Sequence, residues 1–349
     1  MSVAAFMAMT LHDPADGYHA GHNPIGAQGD FITAPEISQV FGELIGLWCA
    51  SVWDRIGRPD PVILAELGPG RGVMAADLLR AAGTIPEFRR ALRLHLVESS
   101  PVFRAEQERR LGWAEPRWAA RVEDLPPGPI LLVANEFLDA LPIRQFVRGR
   151  SHWAERMVAL DHAGKLVFGA GPESPVLSAL VPENLSRRAE PGAVVEICPA
   201  ALALAAVIGR RLACRPGAAL FIDYGYCAST PGPSLRAFSR HCPVPVLAHP
   251  GTADLTADVD FAAFAEAAWM SGAQIGGPVT QGRFLTELGA LPRLAALSSG
   301  ATPAQRRMLE SGVARLLDPA DMGSVFKVMA LLSPGMPASP GFGRTEAAR

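Results

Sequence analysis

Lysine is nearly absent from this chain: Lys165 and Lys327 are the only two among 32 basic residues. The formal net charge is −2, so there is no cationic surplus to form a nucleic-acid surface. The arginine bias, beside abundant Ala, Gly and Pro, reads as codon usage rather than an anion-binding face. Cysteine is sparse as well. Cys49, Cys198, Cys214, Cys227 and Cys242 are odd in number and form no C-x-x-C pair, which predicts reduced thiols in a cytosolic protein. The apolar stretch near Ala200–Gly209 is halted by Arg210-Arg211, too short to span a bilayer, and no basic n-region with an apolar core opens the chain. No repeat, G-x-S-x-G elbow or P-loop occurs. His12, His19 and His22 cluster without a Cys or paired carboxylate, so no metal site is expected.

Against these absences one stretch stands out: Val62-Ile63-Leu64-Ala65-Glu66-Leu67-Gly68-Pro69-Gly70-Arg71-Gly72. It predicts a buried parallel strand turning into a helix over 73–80, closed by Gly83. A dinucleotide fingerprint would place its third glycine at 73, where Val73 stands; here the third glycine comes one residue earlier. Glu66 precedes the turn, where a carboxylate attracts a cationic amino group. Nicotinamide cofactors carry no such ammonium, whereas S-adenosylmethionine carries an ammonium and a sulfonium. The pattern resembles the first motif of class I S-adenosylmethionine-dependent methyltransferases, with Glu66, Gly68, Pro69, Gly70 and Gly72 as cofactor-binding candidates.

Residues 1–60 predict a helical N-terminal cover broken by a Pro/Gly-rich loop. Ile37, Phe41, Leu44, Trp48, Val52 and Ile56 recur at helical intervals, so one face packs on the core. Thr33 and Glu36 have capping-box spacing; equally, Asp30, Thr33 and Glu36 can belong to a lid over the cofactor. Thr84 and Glu87 suggest another capped turn. Leu92–Glu98 reads as a second strand whose closing acid, Glu98, is placed to accept ribose hydroxyls. Val122–Leu125 reads as the end of a third strand, with Asp124 able to reach an adenine amino group or simply solvated. Ile130–Ala134 is the fourth strand. Its exit, Asn135-Glu136-Phe137-Leu138-Asp139, brings Asn135, Glu136 and Asp139 to the carboxyl end, where they can hold a nitrogen nucleophile and receive its proton.

Residues 143–170 switch to period two and predict an antiparallel insertion. The stretches 193–197 and 199–213 then read as a return to the α/β pattern. Ala218–Tyr226 is the fifth core strand, placing Asp223 and Tyr224 at its mouth, and Met322–Leu331 is an apolar final strand. Residues 61–332 form the expected core domain, and 333–349 a Pro/Gly-rich flexible tail.

Gly29-Asp30-Phe31-Ile32-Thr33-Ala34-Pro35-Glu36-Ile37-Ser38, Glu66–Gly72, Asn135–Pro142, Ile222-Asp223-Tyr224-Gly225 and Gly277–Gly282 occur in this order, and together they resemble the MidA-like family. That is the family of the mitochondrial complex I assembly methyltransferase. The resemblance implies an α/β, Rossmann-like class I methyltransferase with a mostly parallel seven-stranded sheet. It also implies S-adenosyl-L-methionine as cofactor and, for the mitochondrial relative, symmetric dimethylation of a complex I arginine. A protein substrate, a respiratory complex I subunit among them, is then the expected partner, with a homodimer left open. The expected compartment is the bacterial cytosol, or the matrix for the eukaryotic relative. Asp258 replaces a usual His and His19 a usual Tyr, which bears on acceptor choice. A small-molecule methyltransferase and a cofactor-binding assembly chaperone are the competing readings.

Overall fold

The computed structural model describes residues 1–13, 16–18, 26 and 32–343. Asp30, His19 and His22 lie outside them. The chain divides into two compact units, one of 32–137, 204–225 and 265–349, the other of 1–31, 138–203 and 226–264. The expected cover over 1–60 is thereby shared out, its first helix to one unit and its later helices to the other.

The first of these units holds seven strands that pair in the order β6-β7-β5-β4-β1-β2-β3, the main path of an eight-stranded sheet. These are β1 (Val62–Leu67), β2 (Leu92–Val97), β3 (Arg117–Ala119), β4 (Ile130–Asn135), β5 (Gly217–Tyr226), β6 (Gln274–Thr280) and β7 (Phe326–Leu332). β1 runs parallel to β2 and β4, β4 runs parallel to β5, and β7 is antiparallel to both β5 and β6. Every residue of β1 is buried, as expected of a strand covered on both faces. Helix Gln39–Arg55 buries Phe41, Leu44, Trp48 and Val52 in this core. It packs on helix Val73–Ala82 at very short range: a Cβ on Gly46 would lie 2.8 Å from the Leu78 carbonyl oxygen. Glu43, buried on the first helix, is met by Arg80 at 3.0 Å and Arg293 at 2.6 Å.

The second unit is antiparallel. Helix Val3–His12 packs Phe6, Met7 and Leu11 with Ile143, Val158 and Leu255. A four-stranded sheet runs Leu166–Ala170, Trp153–Leu160, Arg144–Arg148, Val194–Ile197, and a three-stranded one Cys242–Val244, Arg236–Ser239, Asp254–Thr256. The expected antiparallel insertion is present and larger than read. Val194–Ile197 does not resume the α/β pattern; it pairs antiparallel with Arg144–Val147. A four-residue apolar run suits either sheet, and the buried Glu196 fixes the choice by accepting from Gln145 Nε2 at 2.6 Å and the Ser234 N–H at 3.0 Å.

Other local expectations are corrected. Val122–Asp124 is a 3-10 turn, and the third strand is the earlier Arg117–Ala119. Thr33 makes no side-chain cap; Ser38 caps the long helix instead, its hydroxyl accepting from the Val40 N–H at 3.3 Å. Thr84 bonds back to the Ala81 carbonyl, and Ile85 is the cap position of the next helix. Met322–Val325 is one helical turn before β7 begins. Residues 333–343 are not a loose tail: Met336 and Phe342 are buried in the core, the latter ring 5.2 Å from that of Phe284. Two well-placed apolar side chains outweigh the Pro/Gly composition around them.

Candidate active site

The carboxyl ends of β1, β2 and β4 meet in the parallel unit. At the end of β1 the chain turns through Gly68, Gly70 and Gly72 at φ 58°, 50° and 73°. The Gly68 N–H donates to Val97 at 3.0 Å and the Gly72 N–H to Pro69 at 2.7 Å, closing the turn against β2. A side chain at Gly68 is excluded twice, by its φ and because a Cβ would sit 2.8 Å from the Phe137 ring.

Glu66 lies beneath this turn. It is buried, and burial pushes its carboxyl up to about 8 against the opposing hydrogen bond from the Ala75 backbone. Its Oε2 has no hydrogen-bond partner. A buried carboxyl oxygen left open beside a turn with no side chains is suited to a ligand that brings a cationic donor.

Glu98 closes β2. Its Oε1 accepts the Ser100 N–H at 2.8 Å and its Oε2 the Gln107 amide at 3.3 Å. Burial raises its pKa, and those two donors pull it back toward the ionised form. Asp124, by contrast, turns its carboxylate onto the Arg121 N–H at 3.1 Å.

Glu136 leaves β4 with φ at 50°, a left-handed conformation that costs a side-chain-bearing residue of order 1–3 kcal/mol. Its N–H remains on the ladder, donating to Ile222 at 2.9 Å. Its Oε1 accepts from the Asn135 amide at 3.1 Å and from the Ala34 N–H at 3.2 Å. Asn135 is buried, and its Oδ1 has no partner. Asp223, also buried, accepts the N–H of Phe137 at 3.1 Å and of Tyr224 at 3.0 Å, so it secures the loop after β4. The Tyr224 ring stands edge-on to Phe326 at 5.4 Å.

The 33–38 segment is tied to this region at two points, through Ala34 and through Glu36, whose carboxylate lies 3.5 Å from Arg71 within the glycine turn. Arg71 also meets Glu106 at 2.9 Å. Asp139 belongs to the antiparallel unit, where its Oδ2 accepts the Thr256 hydroxyl at 2.7 Å.

Three contributors escaped the sequence reading: Arg71, Phe137 and Gln107. Gln107 left a trace, since Phe103, Gln107 and Leu111 are the buried positions of helix Pro101–Leu111, one amide in an apolar stripe of period four. Among the described residues, no three His, Cys, Asp or Glu gather as a metal set and no helix is long and apolar enough to cross a membrane.

The chain is similar in sequence and in fold to known proteins. Residues 44–279 match a family model described as "Putative S-adenosyl-L-methionine-dependent methyltransferase". The chain is 36% identical to the zebrafish (Danio rerio) protein arginine methyltransferase NDUFAF7, mitochondrial, over 95% of this chain and 83% of that one. It is 34% identical to the human protein of the same name, over 95% and 80%. A crystal structure of a COG1565 superfamily member from Burkholderia thailandensis, bound to S-adenosylhomocysteine, is similar with a TM-score of 0.85 and 29% identity, covering 99% of this chain and 90% of that one.

Proposed function

Because the chain belongs to the MidA-like family of S-adenosyl-L-methionine-dependent methyltransferases, we propose that it methylates a guanidinium nitrogen of arginine in a protein substrate. Methyl transfer is its activity and S-adenosylmethionine its cofactor, which supplies an electrophilic methyl on a sulfonium. Glu66 and the turn through Gly68, Pro69, Gly70 and Gly72 are the residues that suit the amino-acid end. Glu98 suits the ribose.

The observation that carries the acceptor assignment is Glu136, whose carboxylate is fixed by Asn135 and Ala34 at the end of β4, next to β1 in the sheet. A guanidinium stays protonated at neutral pH, so an acceptor site must attract the cation and bias its electrons toward one nitrogen. A fixed carboxylate does both, and it can receive the proton that the alkylated nitrogen sheds. Preorganisation matters because a carboxylate already held by two donors need not be ordered when the substrate arrives. Asp223 contributes by fixing the loop, and the segment with Thr33 and Glu36 by supplying the Ala34 donor. Asp139 is left to the Thr256 contact.

The finer form of the proposal, symmetric dimethylation of a respiratory complex I subunit, rests on the motif resemblance. Its support from relatives is their name as protein arginine methyltransferases. The test is incubation with labelled methyl donor and a lysate from respiratory-chain-deficient cells, followed by mass spectrometry. Label on arginine as the symmetric dimethyl product is expected. Label on a small molecule or on another residue type would overturn the assignment, as would assembly restored in cells by a Glu136→Gln chain that transfers nothing.

A further inference from the structure

Gln107 is buried with no exposed surface, and its bond to Glu98 is one of three that its amide makes. Its amide joins the residues that follow β1 and β2 to β3 itself. Nε2 donates to the Gly70 carbonyl at 2.8 Å and to Glu98 Oε2 at 3.3 Å, while Oε1 accepts the Trp118 indole N–H at 2.8 Å. Both amide hydrogens and the oxygen are thus used, each toward a different strand end: Gly70 after β1, Glu98 after β2, Trp118 on β3. The orientation of the amide follows from its partners, since a carbonyl and a carboxylate need the NH2 and an indole needs the oxygen.

We propose that Gln107 is a positioning residue for the cofactor, setting the distance between the glycine turn and the ribose-binding carboxylate. The proposal rests on the reading of Glu98 as the ribose acceptor. The physical case has two parts. Gly70 is held at a left-handed φ of 50°, and the bond to its carbonyl fixes the plane of the peptide leading to Arg71. Burial raises the Glu98 pKa, and among the hydrogen bonds that oppose this Gln107 supplies the one from a side chain. Loss of that donor leaves the carboxylate less willing to ionise and freer to swing. No bond is made or broken by Gln107, so its removal weakens binding without touching the methyl-transfer step.

The experiment is calorimetric binding of S-adenosylhomocysteine to Gln107→Leu, Glu98→Gln and the parent chain between pH 5 and 9. Gln107→Leu should weaken binding about tenfold or more, the scale of a lost hydrogen bond to a charged group. It should also move the acid limb of the affinity profile to higher pH, because Glu98 then ionises later. A purely architectural role would lower the melting temperature and leave that limb in place. If the single variant does not fold because the Trp118 N–H is orphaned, Gln107→Leu/Trp118→Phe removes that donor too and carries the same expectation. Glu98→Gln separates the two ideas. If it weakens binding while a folded Gln107 variant binds within twofold of the parent and keeps its acid limb, the positioning role is wrong and the ribose assignment stands. If Glu98→Gln binds as the parent does, both fall.

Discussion

The carboxylate of Glu136 accepts the backbone N–H of Ala34 at 3.2 Å, across 102 residues of chain. The segment ahead of the first long helix therefore reaches the end of β4 through its backbone, a contact that, proline apart, no side-chain substitution at 34 removes. Glu136 can adopt its left-handed conformation because the ladder bond to Ile222 and this donor both hold it.

Glu136→Gln should lower the rate of methyl transfer by a factor on the order of 10²–10⁴, the range of a lost acid–base group. Affinity for S-adenosylhomocysteine should stay within twofold. Single-turnover rates and calorimetry read the two effects separately, and a variant that keeps its rate would remove Glu136 from the chemistry.

Cofactor affinity should rise with pH up to about 8 and then level off, because the free protein carries a proton on Glu66 up to that point. An ammonium beside the carboxyl favours its ionised form, so binding expels that proton, and the affinity changes by at most about tenfold per pH unit. Without ligand the sign reverses. A raised acid pKa contributes stability below about pH 4.5 that is lost as pH approaches 8. Glu66→Gln should remove from both profiles the part that ends near pH 8 and leave the Glu98-dependent acid limb of binding in place, measured by calorimetry and by melting temperature.

Gly68→Ala should destabilise the fold by about 1–3 kcal/mol, since the new Cβ meets the Phe137 ring at 2.8 Å on a backbone at φ 58°. Adding Phe137→Ala should recover the steric part and leave the backbone part. A double-mutant cycle in urea gives that coupling, and additivity would show the ring is not the obstacle.

Phe342→Ala should cost about 3 kcal/mol, the usual price of emptying a buried aromatic site. Chemical denaturation gives the figure. A loss under about 0.5 kcal/mol, the ordinary surface value, would mean that 333–343 does not share the core after all.

The legibility of this chain divides by the range of the forces involved. The turn from β1 through Gly68, Gly70 and Gly72 could be read directly, because glycine spacing and a short apolar run are local signals. Glu98 at the end of β2 and Glu136 at the end of β4 followed from the sheet pattern. Val194–Ile197 could not be assigned, since its apolar run satisfies either sheet and its partner, Arg144–Val147, lies some fifty residues away. The Glu36–Arg71 contact and the three bonds of Gln107 were invisible for the same reason: polar side chains choose partners in space.

The last strand of the sheet is inserted between β5 and β6, with a ladder to each. While the chain is still emerging from the ribosome, those two neighbours have nothing between them and cannot pair in their final order. The glycine turn and the ends of β2 and β4 have been synthesised long before. A chain halted ahead of Phe326 has made β1 to β6 but lacks the strand that joins β5 to β6, so the sheet closes only once its last strand has been synthesised.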